Sequence, residues 1–182
     1  MENVTAKKTT WTVDPMHSEI QFKVKHLVIS TVTGSFGQYD ASFTSEKEDF
    51  SDAQINFSAD INSINTNNEQ RDAHLKSDDF FNAEQYPKLT FKSKEIRKTG
   101  DGTYKLIGDL TIRDVTKTVE LDVEYGGSMV DPYGQSKVGF EVTGNINRKE
   151  YGLKWNAVTE AGGAVVSDQV KLIANIQFVK QA

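Results

Sequence analysis

The stretch HSEIQFKVK, His17–Lys25, alternates apolar and polar side chains with a period of two. Ile20, Phe22 and Val24 fall on one face, and Glu19, Gln21, Lys23 and Lys25 on the other. Such a segment is a strand with one dry and one wet face. The same period recurs at Ile55, Phe57, Ala59 and Ile61, at Val119, Leu121, Val123 and Tyr125, at Val138, Phe140 and Val142, and from Val170 through Leu172, Ala174 and Ile176 to Phe178. Shorter pieces over 37–43, 89–93 and 104–112 bring the total to about eight strands. Thr99-Gly100-Asp101-Gly102 and Asp131-Pro132-Tyr133-Gly134 read as tight reversals between neighbours. Sequential hairpins make a meander, and a meander of this length is expected to close into an antiparallel barrel rather than pair as a sandwich, because closure removes exposed edges. The fold class expected is mainly β: an eight-stranded antiparallel barrel.

A chain of 182 residues suffices for one domain with its own core. Residues 1–10 are expected to be a flexible segment and 11–182 the domain. An apolar fraction of 37% suits strands that show every other residue to water. The formal charge of −5, with cations scattered among anions, argues against a nucleic-acid partner. The absence of cysteine excludes disulfides, thiol nucleophiles and Cys-ligated metals. Neither a signal-peptide core in MENVTAKKTTWTVDP nor a membrane-spanning run is present, so the expected compartment is cytoplasmic, or periplasmic should a leader have been removed.

One segment, RDAHLKSDDFFNAEQYPKLTF (Arg71–Phe91), breaks the rhythm. Thr66-Asn67-Asn68-Glu69 matches a capping box, which predicts a helix from Asn67 to about Lys76 and a helical insertion over about 67–82. Ser77-Asp78-Asp79 would cap a further turn carrying Phe80 and Phe81, and Pro87 ends any helical option. At i, i+3, i+4 spacing, Arg71, His74 and Leu75 share one face, and Asp72 and Lys76 can pair on the other.

Local catalytic patterns are absent. His17, His26 and His74 are the only histidines, and no close pair of them forms a metal-binding signature. A metal- or haem-dependent barrel enzyme built on these three is the alternative reading from another class. No G-x-S-x-G elbow or phosphate loop occurs, and adjacent carboxylates such as Asp78-Asp79 suit a helix start better than acid/base work. No catalytic or metal-ligating residue is assigned. The inward face, rich in Phe, Val, Leu and Ile, also holds Ala59, Gly108, Gly144 and Ala174. That set fits a filled barrel as well as one with an elongated channel, and an occupant of such a channel would be apolar.

Four stretches resemble the YceI-like family of polyisoprenoid-binding proteins: VDPMHSEIQFKVKHLVISTVTGSFGQYDASF, INSINTNNEQRDAHLKSDDFFNAEQYPKLTFKS, GDLTIRDVTKTVEL and DPYGQSKVGFEVTGNINRKEYGL. The resemblance implies an extended lipocalin-like barrel that holds a long isoprenoid chain with a quinone-type or phenolic head. It further implies a homodimer, no catalytic activity and no cofactor beyond the bound lipid. Carried over to this sequence, chain binding falls to Phe22, Val24, Phe57, Ile61, Phe91, Leu110, Ile112, Leu121, Val123, Phe140, Val142 and Leu172. The family's polar positions match His17, Arg71, Asp72, His74 and Arg148. Arg71 and His74 are expected to tie the helix to the barrel as a lid and, secondly, to neighbour the head group. Asp114 replaces a glycine common in the family, a change confined to a turn. Many relatives are exported.

Overall fold

A computed structural model describes residues 8–26, 29–156 and 166–181. Eleven strands appear: β1 (Thr9–Val13), β2 (Glu19–His26), β3 (Ser30–Phe36), β4 (Tyr39–Ser45), β5 (Gln54–Asp60), β6 (Ile64–Asn65), β7 (Lys88–Gly100), β8 (Thr103–Ile112), β9 (Val115–Val130), β10 (Ser136–Asn147) and β11 (Val166–Lys180). Three pairs are single long strands interrupted once. A 3-10 turn at Pro15–His17 separates β1 from β2, a bend at Gly37–Gln38 separates β3 from β4, and a 3-10 turn at Ile61–Ser63 separates β5 from β6. Counted this way, eight antiparallel strands run as a meander. The ring closes because β11 pairs with both halves of the first strand, Phe178 lying opposite Val13 and Leu172 opposite Phe22.

The reversals expected from Thr99–Gly102 and Asp131–Gly134 are present, with Gly102 (φ 74°) and Gly134 (φ 80°) in the left-handed region that favours glycine. Strand β1 starts at Thr9, inside the segment expected to be flexible, and residues 1–7 lie outside the described residues. Strand β3, which alternation did not reveal, places Val32, Gly34 and Phe36 inward, and its central inward position is a glycine with no apolar side chain to register. No helix among the described residues is long and apolar enough to cross a membrane.

The helix α1 is shorter than expected, Glu69–Lys76. Asn68, not Thr66, is its N-cap, its side chain accepting from the Arg71 amide at 3.0 Å. Asn67 takes φ 62°, which turns the chain so that the cap falls two residues later than the capping box implies. Thr66 instead gives its amide (2.9 Å) and its hydroxyl to the Asp72 carboxylate, so Asp72 faces Thr66 rather than Lys76. Beyond Lys76 the chain makes consecutive turns, with Ala83 donating to the Lys76 carbonyl and Asn82 to that of Ser77, in place of the further capped helical turn.

Candidate functional site

The inward side chains do not fill the barrel. A cavity of about 580 Å³ runs along its interior, inside the range of small-molecule sites. Its floor is a cluster of rings: Trp11 stacks on Phe43 (5.8 Å between centroids), Phe43 meets Phe178 edge-on at 4.8 Å, and Phe50 meets Phe140 at 5.7 Å. Phe50 reaches this cluster from the loop between β4 and β5, at φ 61°. The loop is pinned from across the barrel by the Tyr104 hydroxyl, which donates to the Asp49 carbonyl at 2.5 Å. Burial raises the Tyr104 pKa, and nearby Asp49 adds to the rise.

All but one of the residues expected to hold a chain line this cavity: Phe22, Val24, Phe57, Phe91, Leu110, Ile112, Leu121, Val123, Phe140, Val142 and Leu172. Of these, Phe22, Val24, Phe57, Phe140, Val142 and Leu172 keep part of their surface open although they point inward. Ile61 is the exception. It sits in the 3-10 turn after β5, its amide donating to the Pro87 carbonyl, and is packed into the wall at 2% exposure instead of facing the cavity. The small inward residues divide as well: Ala174 lines the cavity. Gly108 and Gly144, by contrast, are positions where a Cβ would collide with Phe91 and Leu121, so their lack of a side chain admits those larger groups rather than opening a channel.

The other end of the cavity is polar. Asn68, Gln70 and Arg71 at the start of α1, with Val24, His26 and Val32 at the end of the β2–β3 hairpin, line it and retain solvent exposure. His74, also partly exposed, is edge-on to Phe80 (5.1 Å) and Trp155 (4.7 Å), with its Nε2 2.8 Å from Asp79 Oδ2. Arg148, in the 3-10 turn Arg148–Tyr151 that follows β10, is buried to 3% exposure and also lines the cavity. Its guanidinium donates to the carbonyls of Leu153 (2.6 Å), Trp155 (2.7 Å), Ser167 (2.8 Å) and Val166 (3.3 Å). Burial lowers its pKa, and Asp168 offsets part of that.

Two expectations about the lid are corrected. Arg71 does not tie α1 to the barrel: its Nε and one Nη donate back to the Thr66 hydroxyl (2.8 Å) and carbonyl (2.7 Å), within the same segment. The tie is Arg113, at the two-residue turn between β8 and β9. It donates to the Phe80 carbonyl at 3.0 Å, pairs with Asp78 at 3.0 Å and lies 5.6 Å over the Tyr86 ring. His17 is remote from the cavity. It is exposed in the turn before β2, where its Nδ1 is 2.8 Å from Asp14, which itself holds Lys137 at the start of β10. Arg148 follows the far end of that strand, more than 30 Å away at ~3.3 Å per residue. Among the described residues no three His, Cys, Asp or Glu side chains stand together as metal ligands, and the three histidines do not converge.

The missed residues, Arg113, Trp155 and Phe50, carry no local signal, since each acts through partners distant in the chain. Comparison with known proteins completes the picture. A family model described as YceI-like domain matches residues 11–178. A UPF0312 protein of Staphylococcus aureus strain USA300 is 40% identical over 171 residues, covering 93% of this chain and 97% of the relative. Among solved structures, a Campylobacter jejuni YCEI protein superposes with TM-score 0.73 at 32% identity over the whole of both chains. A polyisoprenoid binding domain from Saccharophagus degradans superposes with TM-score 0.67 at 15% identity, covering 94% of this chain and 98% of that one, and is similar in fold.

Proposed function

The chain belongs to the YceI-like domain family, and from that premise we propose that it is a non-enzymatic binder of a long-chain polyisoprenoid lipid, such as an isoprenoid quinone or its precursor, held in the barrel for storage or transport. The observation that carries this reading is the cavity of about 580 Å³, walled by aliphatic and aromatic side chains between a ring-stacked floor and a polar rim. Each methylene taken from water into such walls contributes ~0.8 kcal/mol, so affinity grows with chain length and needs few polar contacts. The similarity in fold to a domain described as polyisoprenoid binding supports the same class of ligand. The lining residues Phe22, Val24, Phe57, Phe91, Leu110, Ile112, Leu121, Val123, Phe140, Val142 and Leu172 would contact the chain, and Arg71, His74 and Arg148 the head. Family membership further suggests a homodimer, which light scattering on the purified protein would show as twice the chain mass.

The test is organic extraction of freshly purified protein followed by mass spectrometry. An isoprenoid lipid is expected in near-stoichiometric amount, and Ala174→Leu, which fills the cavity from β11, should reduce it. Protein that carries no lipid and takes up no apolar fluorescent probe would overturn the reading.

A further inference from the structure

The charges around the cavity are all of one sign. Arg71 and Arg148 line it, whereas among the described residues no Asp or Glu does, in a chain with 26 acidic residues against 21 lysines and arginines. Arg148 is the sharper case. Its fork has five N–H donors, and four are spent on backbone carbonyls. The nearest carboxylate among the described residues, Asp168, lies 4.0 Å away, half-exposed and closer to Lys149 at 3.2 Å. Arg71 spends two donors on Thr66 and forms no ion pair among the described residues. The Arg148 guanidinium is therefore compensated only in part, by carbonyl dipoles and the more distant Asp168, an arrangement that a bound anion would improve. Phe80 lies between the groups concerned, with Arg148 6.0 Å over its ring and His74 edge-on at 5.1 Å.

We propose that the bound amphiphile carries an anionic head, a carboxylate or a phosphate, held at the helical end of the cavity by Arg148 and Arg71 while its chain points toward the aromatic floor. Arg148 keeps one N–H for such a head and Arg71 three, so the two guanidinium groups together can bond more than one oxygen of a carboxylate or phosphate. A neutral alcohol of the same chain would leave the charge only partly compensated. The inference rests on the chain-binding reading and adds to it which members of the lipid class are preferred: phosphorylated isoprenoids and long-chain fatty acids over their uncharged counterparts.

Displacement of an apolar fluorescent probe by two matched pairs tests it: geranylgeranyl phosphate against geranylgeraniol, and palmitate against hexadecanol. At least one anion should bind tenfold or more tightly than its alcohol, and the pair showing the larger ratio identifies the source of the head. Arg148→Gln should bring that ratio toward one. Because Arg148 also holds four carbonyls, Arg71→Gln is the second variant, expected to narrow the ratio severalfold in protein whose melting is followed in parallel. Alcohols that bind as well as both anions, or ratios unmoved by both substitutions, would overturn the proposal while leaving chain binding intact. Failure of all four ligands to displace the probe would overturn both readings together.

Discussion

The two ends of the barrel are built from different physics. At the floor, Trp11, Phe43, Phe50, Phe140 and Phe178 interlock as stacked and edge-on rings, an arrangement that gains from apolar burial and from ring quadrupoles together. At the helical end the wall carries its own apolar cluster, with Phe36, Ile64, Phe80 and Leu153, but α1 has no fully buried residue and meets that cluster through the half-buried Leu75. That end is held by directed hydrogen bonds from Arg113 and Arg148 to carbonyls and by the edge-on packing of His74 against Trp155. A few hydrogen bonds open more readily than a packed ring cluster. The lightly packed α1 is therefore expected to open before the floor does, and a ligand to exchange at that end.

The largest expected effect lies at the floor. Phe43→Ala should cost about 3–5 kcal/mol of unfolding free energy, measured by urea denaturation, and a loss below about 1 kcal/mol would show that the floor is not the stabilising end. Arg148→Met comes next. It strands the carbonyls of Leu153, Trp155, Ser167 and Val166, and about 3 kcal/mol is expected, since a lost partner leaves buried acceptors unsatisfied. Arg113→Ala sharpens the contrast: a cost of about 1–2 kcal/mol should come with faster amide exchange over 77–86 than in β8 and β9. Uniform protection across these regions would remove Arg113 from its role as the tie.

The smallest effect concerns Tyr151, whose buried hydroxyl has no hydrogen-bond partner among the described residues. Tyr151→Phe should be neutral or stabilising by up to ~1 kcal/mol. Burial, with Glu150 adding to it, pushes the Tyr151 pKa up to about 12, above the value of about 10 for an unfolded chain. The folded state therefore holds its proton longer, so this contribution is intact below pH 10 and is lost as pH climbs toward 12. Alkaline unfolding that starts at the same pH in Tyr151→Phe would contradict that assignment.

The barrel was legible because period-two alternation is a direct imprint of one dry and one wet face, and it survives wherever the inward residues are large, as in β2, β5 and β11. It fails at β3, where an inward glycine leaves room for the Phe22 ring. The helix was legible from its polar start, but Thr66 and Asn68 are both good caps, and only the left-handed turn at Asn67 decides between them. Most cavity-lining positions follow from the same alternation, Ile61 departing because a 3-10 turn interrupts its strand. Arg113 was hidden for a different reason. An arginine in a two-residue turn looks solvent-bound, and its partners Asp78 and Phe80 lie 35 and 33 residues earlier.

The doubled pairing of β11 also sets the order in which the molecule can form. Most other neighbours in the ring are joined by hairpins that can zip as the chain emerges, and the longer connections, 61–87 between β5 and β7 and 148–165 between β10 and β11, still span far fewer residues than the seam. The seam between β11 and the first strand instead joins Trp11 to Lys180, and such a long loop is slow to close. Until β11 has left the ribosome, the nascent chain is an open sheet with two bare edges. Chaperone dependence and aggregation during synthesis should accordingly concentrate before β11 emerges.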